Sequence, residues 1–260
     1  MSKNRKHIIW KSILGLLIAA VLVASYILGS DKRRQRLCSR VDITILDSLS
    51  QKYITTEDIR QHLSSNYGTV VGTAVDSIDL YKIENILNGK DGILKSEAYV
   101  RNDGSLKIDI QQRTPIIQFQ TRAYGFYCDC FGVLFPMLED FTCEALIVGG
   151  HIPLDVDDCI NGSPVCAEDG KWLDEIIEIT ERINSSGFLR EKIAKILIAE
   201  DGQLSIIPKE GGEKFLFGHL TDVETKFEKI QIYYDIILPA KEGKEYNSVD
   251  LRYDKQIVCK

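Results

Sequence analysis

The chain has 260 residues, of which 44% are apolar, 27% charged and 8% aromatic, a composition that folds rather than staying disordered. The net charge of -6 argues against nucleic acid as a partner, because phosphate binding needs a basic face. Seven cysteines, an odd number, leave at least one thiol over in any disulfide scheme and do not fix the redox compartment.

Residues 1–11 carry Lys3, Arg5, Lys6 and Lys11 and read as a short cytoplasmic tail. Residues 12–30 hold no charge. With Ile8, Ile9 and Trp10 the apolar run reaches the about 20 residues that a bilayer requires. Leu, Ile and Val side chains between Ile13 and Leu28 together favour insertion by roughly -3 kcal/mol. No polar face marks it as a soluble amphipathic helix, and no A-x-A site follows it. The segment is therefore expected to be an uncleaved transmembrane helix. Residues 31–40 form a basic juxtamembrane linker with Lys32, Arg33, Arg34, Arg36 and Arg40. Positive charge on both flanks leaves the orientation undecided by charge bias. A cytoplasmic N-terminus with the bulk exported is the expected arrangement for an N-terminal anchor.

Residues 41–114 read as β-α-α-β-β. Val41 to Leu46 alternates as a strand. Thr55 stands as an N-cap with Asp58 three residues on, and Ile59 and Leu63 share one face of the helix that follows. Asn66-Tyr67-Gly68 breaks that helix. A second starts near Asp79 with Leu80, Ile83 and Leu87 inward, and Asn88-Gly89 ends it. Glu97 to Arg101 and Leu106 to Ile110 flank Asn102-Asp103-Gly104-Ser105, a hairpin signal.

Residues 115–260 read as a mixed β-sheet domain with two helices. Ile116–Gln120, Gly125–Cys130 and Gly132–Phe135 are short strands, and Pro136 to Asn161 is loop-rich. Ser163-Pro164 is expected to cap a helix whose stripe is Trp172, Ile176, Ile179 and Ile183, closed by Gly187. Ala194–Ala199, Leu204–Ile207 and Lys214–Phe217 are strands. Thr221 to Glu224 reads as a capping box for a helix with Phe227, Ile230, Tyr234 and Ile237 inward, stopped at Pro239. Val249, Leu251 and Tyr253 then alternate with Asp250, Arg252 and Asp254. The fold class is thus α+β: a transmembrane helix, a small β-α-α-β-β domain and a larger sheet domain.

No G-x-S-x-G, H-E-x-x-H or glycine-rich phosphate loop is present, so no catalytic residue is assigned and no cofactor or small-molecule substrate is expected. The sharpest chemical cluster is Cys128, Cys130, Cys143, His151, Cys159 and Cys166. It contains no C-x2-C pair, so disulfides stapling the Cys143–Cys166 region, or buried thiols, are preferred to zinc. Cys128 and Cys130, two apart on one strand, are expected to share a face. Asp155 to Asp158 lacks the glycine and distal glutamate of a calcium loop. A membrane-anchored envelope enzyme using the Cys128–Cys166 cluster is the alternative reading.

Four motifs carry a resemblance. They are Val249-Asp250-Leu251-Arg252-Tyr253, Phe217-Gly218 before a helix bearing Lys226, Gln112-Arg113-Thr114-Pro115 and Gly132-Val133-Leu134-Phe135-Pro136. Their order behind one N-terminal span resembles the FtsQ/DivIB family of bacterial cell-division proteins. Gln112 stands where the family's E-R-x-P has Glu, and Asp254-Lys255-Gln256 where many relatives have a glycine turn. The resemblance implies a POTRA domain over 41–114 and a scaffold in the inner membrane at the division septum. It implies partners of the FtsB and FtsL type and, through them, regulation of septal peptidoglycan synthesis. On that basis Tyr253, Asp254, Lys255, Gln256, Ile257, Val258 and Cys259 are expected to form a sheet edge that accepts a partner strand. Arg252 is expected to contact the partner with that edge, and Lys226 and Lys229 are expected to meet a partner carboxylate from the preceding helix.

Overall fold

The computed structural model describes residues 15–25, 36–46, 53–121, 124–138, 141, 143–154, 159–160, 162–164, 166–241, 243 and 245–260. A helix, α1, covers residues 15–25 and is exposed throughout. Among the described residues no helix is long and apolar enough to cross a membrane. The tail 1–11 and residues 12–14 and 26–30 of the expected span lie outside the described residues, as does Asp155 to Asp158. The chain divides into two compact units, residues 1–48 with 54–112, and residues 49–53 with 113–260.

The first unit holds β1 (Val41–Ile45), α2 (Thr56–Asn66), α3 (Leu80–Asn88), β2 (Ile93–Val100) and β3 (Leu106–Gln112). The strand order is β1-β3-β2, with β1 parallel and β2 antiparallel to β3. Thr55 and Asp58 close the capping box in both directions, and Asp79 caps α3 through the Lys82 amide. Ile59, Leu63, Ile83 and Leu87 are buried, so both helices turn the expected stripe inward. Strand β2 begins at Ile93, ahead of the Glu97 start read from the sequence. Residues 36–40 also belong here: Leu37 bridges Ala74, and Cys38 is buried. Gln112 is buried and accepts the Ile54 amide at 2.8 Å, tying the start of α2 to the end of β3.

The second unit is built on nine strands: β4 (Pro115–Gln120), β5 (Gly125–Asp129), β6 (Leu134–Pro136), β7 (Leu146–Gly150), β10 (Ile193–Ile198), β11 (Leu204–Pro208), β12 (Lys214–Gly218), β13 (Ser248–Asp250) and β14 (Val258–Cys259). Between β7 and β10, β8 (Cys159–Ile160) and β9 (Ser163–Pro164) pair as a separate ribbon. The large sheet runs β14-β13-β12-β11-β10-β7-β4-β5-β6. Helices α4 (Ala167–Ser185), α5 (Gly187–Lys192) and α6 (Val223–Ile232) supply its cover. Leu173, Ile176, Ile179 and Ile183 of α4 and Phe227 and Ile230 of α6 join Ile117, Val148, Ile196, Ile206, Phe215 and Val249 in one core.

Four expectations are corrected here. Strand β7 lies inside the stretch read as loop-rich, and it is central, parallel to both β4 and β10. Ser163-Pro164 is strand rather than helix cap, and α4 starts at Ala167 with Cys166 at its N-cap. Gly187 does not end the helical region but opens α5, so among the described residues the domain has three α-helices rather than two. Thr221 to Glu224 forms no capping box: Asp222 is the N-cap, left-handed at φ 51°, with no side-chain cap bond. Past α6 the backbone widens into a π-helical turn over Tyr233–Ile237, where Leu238 N–H donates to Tyr233 C=O at 2.8 Å. Tyr233 and Tyr234 both pack inward on Phe215 across that turn.

Candidate functional site

The V-D-L-R-Y stretch leaves β13 in a folded-back corner. Asp250 is 2% exposed and receives three bonds from Arg252: backbone N–H at 3.1 Å, Nε at 2.9 Å and Nη2 at 2.7 Å. Such a bidentate, charge-assisted contact is strong and directional. The Arg252 hydrogen bonds hold the Asp250 carboxyl below its ordinary range, against a burial effect that pushes it up. Arg252 also donates through Nη1 to Gln203 Oε1 at 2.8 Å, which ties the corner to the β10–β11 turn. Its stem crosses Gly218, whose φ is +77°. Phe217-Gly218 and the V-D-L-R-Y corner, far apart in sequence, are therefore two halves of one packing unit.

The two lysines of α6 sit where the sequence did not suggest. Both are buried. Lys229 Nζ donates to the carbonyls of Leu251 at 3.2 Å and Tyr253 at 2.6 Å, so it pins the corner from the helix side. Lys226 Nζ donates to His219 C=O at 2.7 Å and stands 5.0 Å from the centre of the Phe217 ring. Burial lowers the Lys226 pKa, and the neighbouring Lys229 charge lowers it further. Among the described residues neither lysine makes an ion pair with a carboxylate.

Beyond the corner Tyr253 is 45% exposed, and Asp254, Lys255 and Gln256 form an exposed turn with Lys255 at φ 55°. A left-handed residue does here what a glycine turn would do. The chain then returns: Ile257 and Cys259 pack against the core, and β14 pairs antiparallel to β13 with Val249 opposite Cys259 and Asp250 opposite Val258. Ser248 and Lys260 exchange both backbone bonds, at 3.1 and 2.9 Å. In an antiparallel ladder hydrogen-bonded and non-bonded pairs alternate. Cys259 is thus at a non-bonded position, with its N–H and C=O directed away from β13. Strand β14 ends the sheet order, and its described pairing is on one side alone. At the opposite end of the sheet, β6 receives a cover, since Leu134 N–H donates to Gly162 C=O.

Among the described residues the sulfur cluster is not assembled. Cys38, Cys128, Cys130, Cys143, Cys166 and Cys259 are free thiols, and the Cys159 side chain lies outside the described residues. Among the described residues no disulfide staples the Cys143–Cys166 region. Nor do those residues bring three metal-ligating side chains together. Cys128 is buried but Cys130 is exposed, because β5 ends at Asp129 and strand alternation stops there. Burial pushes the Cys128 thiol far up, with help from Asp129, which makes it a poor nucleophile.

Sequence reasoning missed three contributors to this corner: Gln203, Gly218 as the bed of Arg252, and Asp250 as a buried acceptor. The signal was available for Asp250 and Arg252 alone, as opposite charges two apart on one strand face.

Residues 114–260, more than half of the chain, match the family model described as FtsQ/DivIB, C-terminal related. Residues 36–111 match the model described as a POTRA-like domain. No curated protein matches the chain.

Proposed function

Because this chain belongs to the FtsQ/DivIB family, we propose that it is a non-enzymatic scaffold of bacterial cell division whose C-terminal sheet edge receives a strand from a partner protein. The family assignment carries the cell-division role. The finer reading is that the chain sits in the inner membrane at the septum through residues 12–30, with its N-terminus cytoplasmic and its bulk periplasmic. Its partners are FtsB-like and FtsL-like division proteins, through which it links early to late divisome assembly and septal peptidoglycan synthesis.

The observation that carries the docking mode is the one-sided pairing of β14, which among the described residues leaves the Cys259 N–H and C=O open. An open edge offers main-chain bonds for affinity, while side chains on alternate positions set the register. Tyr253, Asp254, Lys255 and Gln256 form an exposed lip beside it. Arg252 and Lys229 act behind the edge, holding the corner that positions it. Two buried ammonium groups, Lys226 and Lys229, give this end of α6 a positive field, which favours a partner carboxylate nearby.

Cys259→Pro tests the reading. Proline removes the outward N–H and leaves the β13 bonds, which run through Val258 and Lys260. The expected result is affinity for an FtsB-like segment about tenfold weaker or worse, a loss of about 1.4 kcal/mol. Cys259→Ala is expected to bind normally. Undiminished binding by a folded Cys259→Pro protein places the partner elsewhere.

A further inference from the structure

A second site lies in the same unit, lined by residues from the end of α5, the β11–β12 turn, the π-helical turn and the stretch before β13. It is an open cavity of about 640 Å³. Its charge is one-sided: Glu191, Glu210, Glu213 and Glu245 line it, against Lys192. Glu191, Glu210 and Glu245 are exposed, as surface carboxylates ordinarily are.

Glu213 is different. It is 5% exposed, and among the described residues it forms no ion pair. Buried carboxylates are ordinarily paired or neutralised by a bound cation, because stripping their water is costly. The turn makes room for it, since a side chain at Gly211, where φ is +104°, would collide with the carboxylate. Two polar groups behind it are unsatisfied. The hydroxyls of Tyr233 and Tyr234 are buried without a hydrogen-bond partner among the described residues. Tyr233 faces Glu213 without closing a bond of good geometry. Burial and the Glu213 charge push Tyr234 up to about 12 and Tyr233 higher still, so both remain neutral hydroxyls.

The aromatic wall already accepts an ammonium group. Lys192 Nζ stands 5.2 Å from the centre of the Tyr234 ring, and Tyr246 lines the same space. Carboxylates around an aromatic face make a receptor for a cation that carries hydrogen-bond donors. We propose that this cavity binds a primary ammonium group, with Glu213 as its principal acceptor and the tyrosine wall beside it. Two sources share that chemistry: a free diamine, and a lysine side chain presented by a peptide.

Calorimetric titration of the full-length protein in detergent distinguishes them. The probes are cadaverine, acetyl-Gly-Lys-Gly-amide and the same peptide with its lysine Nε acetylated. Saturable binding of an ammonium probe is expected, with none for the acetylated peptide. Binding by both probes assigns the site to amines in general, and binding by the peptide alone assigns it to a presented lysine. Glu213→Gln is expected to weaken binding about tenfold. Should that variant fail to fold, the exposed pair Glu210→Gln with Glu245→Gln provides the same test at the rim. No saturable binding by either ammonium probe, or affinity unchanged in the folded variants, overturns the proposal.

Discussion

The stem of Arg252 lies directly over Gly218: a side-chain carbon there would stand 2.9 Å from Arg252 Cγ and 3.0 Å from Cδ. Arg252 cannot swing aside cheaply, because Asp250 and Gln203 hold its guanidinium. Gly218→Ala therefore meets both a left-handed backbone and a pinned neighbour. The expected loss is about 1–2 kcal/mol from the backbone alone. Urea unfolding of Gly218→Ala, Arg252→Ala and the double variant checks this. The two losses are expected to be non-additive, since the clash disappears with the arginine.

Asp250 provides a pH signature. Arg252 holds its folded pKa below the ordinary value of about 3.8. The unfolded chain then takes up this proton at a higher pH than the folded one. The stabilisation is complete above the unfolded value and is lost as pH falls through the folded one. Asp250→Asn is expected to cost about 1.5–3 kcal/mol at neutral pH. Stability curves of the two proteins are expected to converge below about pH 4. A gap that stays constant to low pH removes the charge from the explanation.

Lys229 is expected to act as an anchor. Its removal in Lys229→Met frees the carbonyls of Leu251 and Tyr253. The expected loss is about 1–3 kcal/mol. Amide exchange is expected to quicken over residues 251–260 more than over β10 or β11. Uniform quickening across the sheet means that the lysine supports the whole domain rather than the corner.

At the start of the second unit, Arg113 Nη1 meets Asp129 Oδ2 at 2.5 Å, and Asp129 is 2% exposed. The other Asp129 oxygen accepts the amides of Phe131 and Val133, both at 2.9 Å. Arg113→Ala leaves a buried carboxylate uncompensated, for which about 3–5 kcal/mol is expected. Adding Asp129→Asn is expected to recover part of the loss, because the amide keeps the acceptor without the charge. Thermal melts of the single and double variants decide it.

The first unit was legible because its signals are local. Thr55 with Asp58, Asp79 before α3 and the Asp103-Gly104 turn each act within a few residues. Strand β7 was not legible because its place is set by parallel pairing with β4 and β10, which lie far from it in sequence. Leu146-Ile147-Val148 before two glycines reads as a short apolar patch in a loop. Ser163-Pro164 has the residue types of a helix start, and only its hairpin pairing with β8 makes it strand. The burial of the α6 lysines was not legible for a related reason. A long apolar stem buries as readily as a leucine when its ammonium finds carbonyls, and those carbonyls come from residues 219, 251 and 253. The register of β14 on β13 was not legible, because two residues, Val258 and Cys259, are too few to show an alternation.

The π-helical turn after α6 holds one residue more than regular winding would. Each residue of an α-helix advances the azimuth by about 100°, so the surplus one resets the phase of everything beyond it. Deleting a single residue between Tyr233 and Ile237 would mend the hydrogen-bond ladder while rotating Leu238 and the following segment out of place. Here the irregular helix is the one that fits, and a straighter one would aim its side chains wrongly.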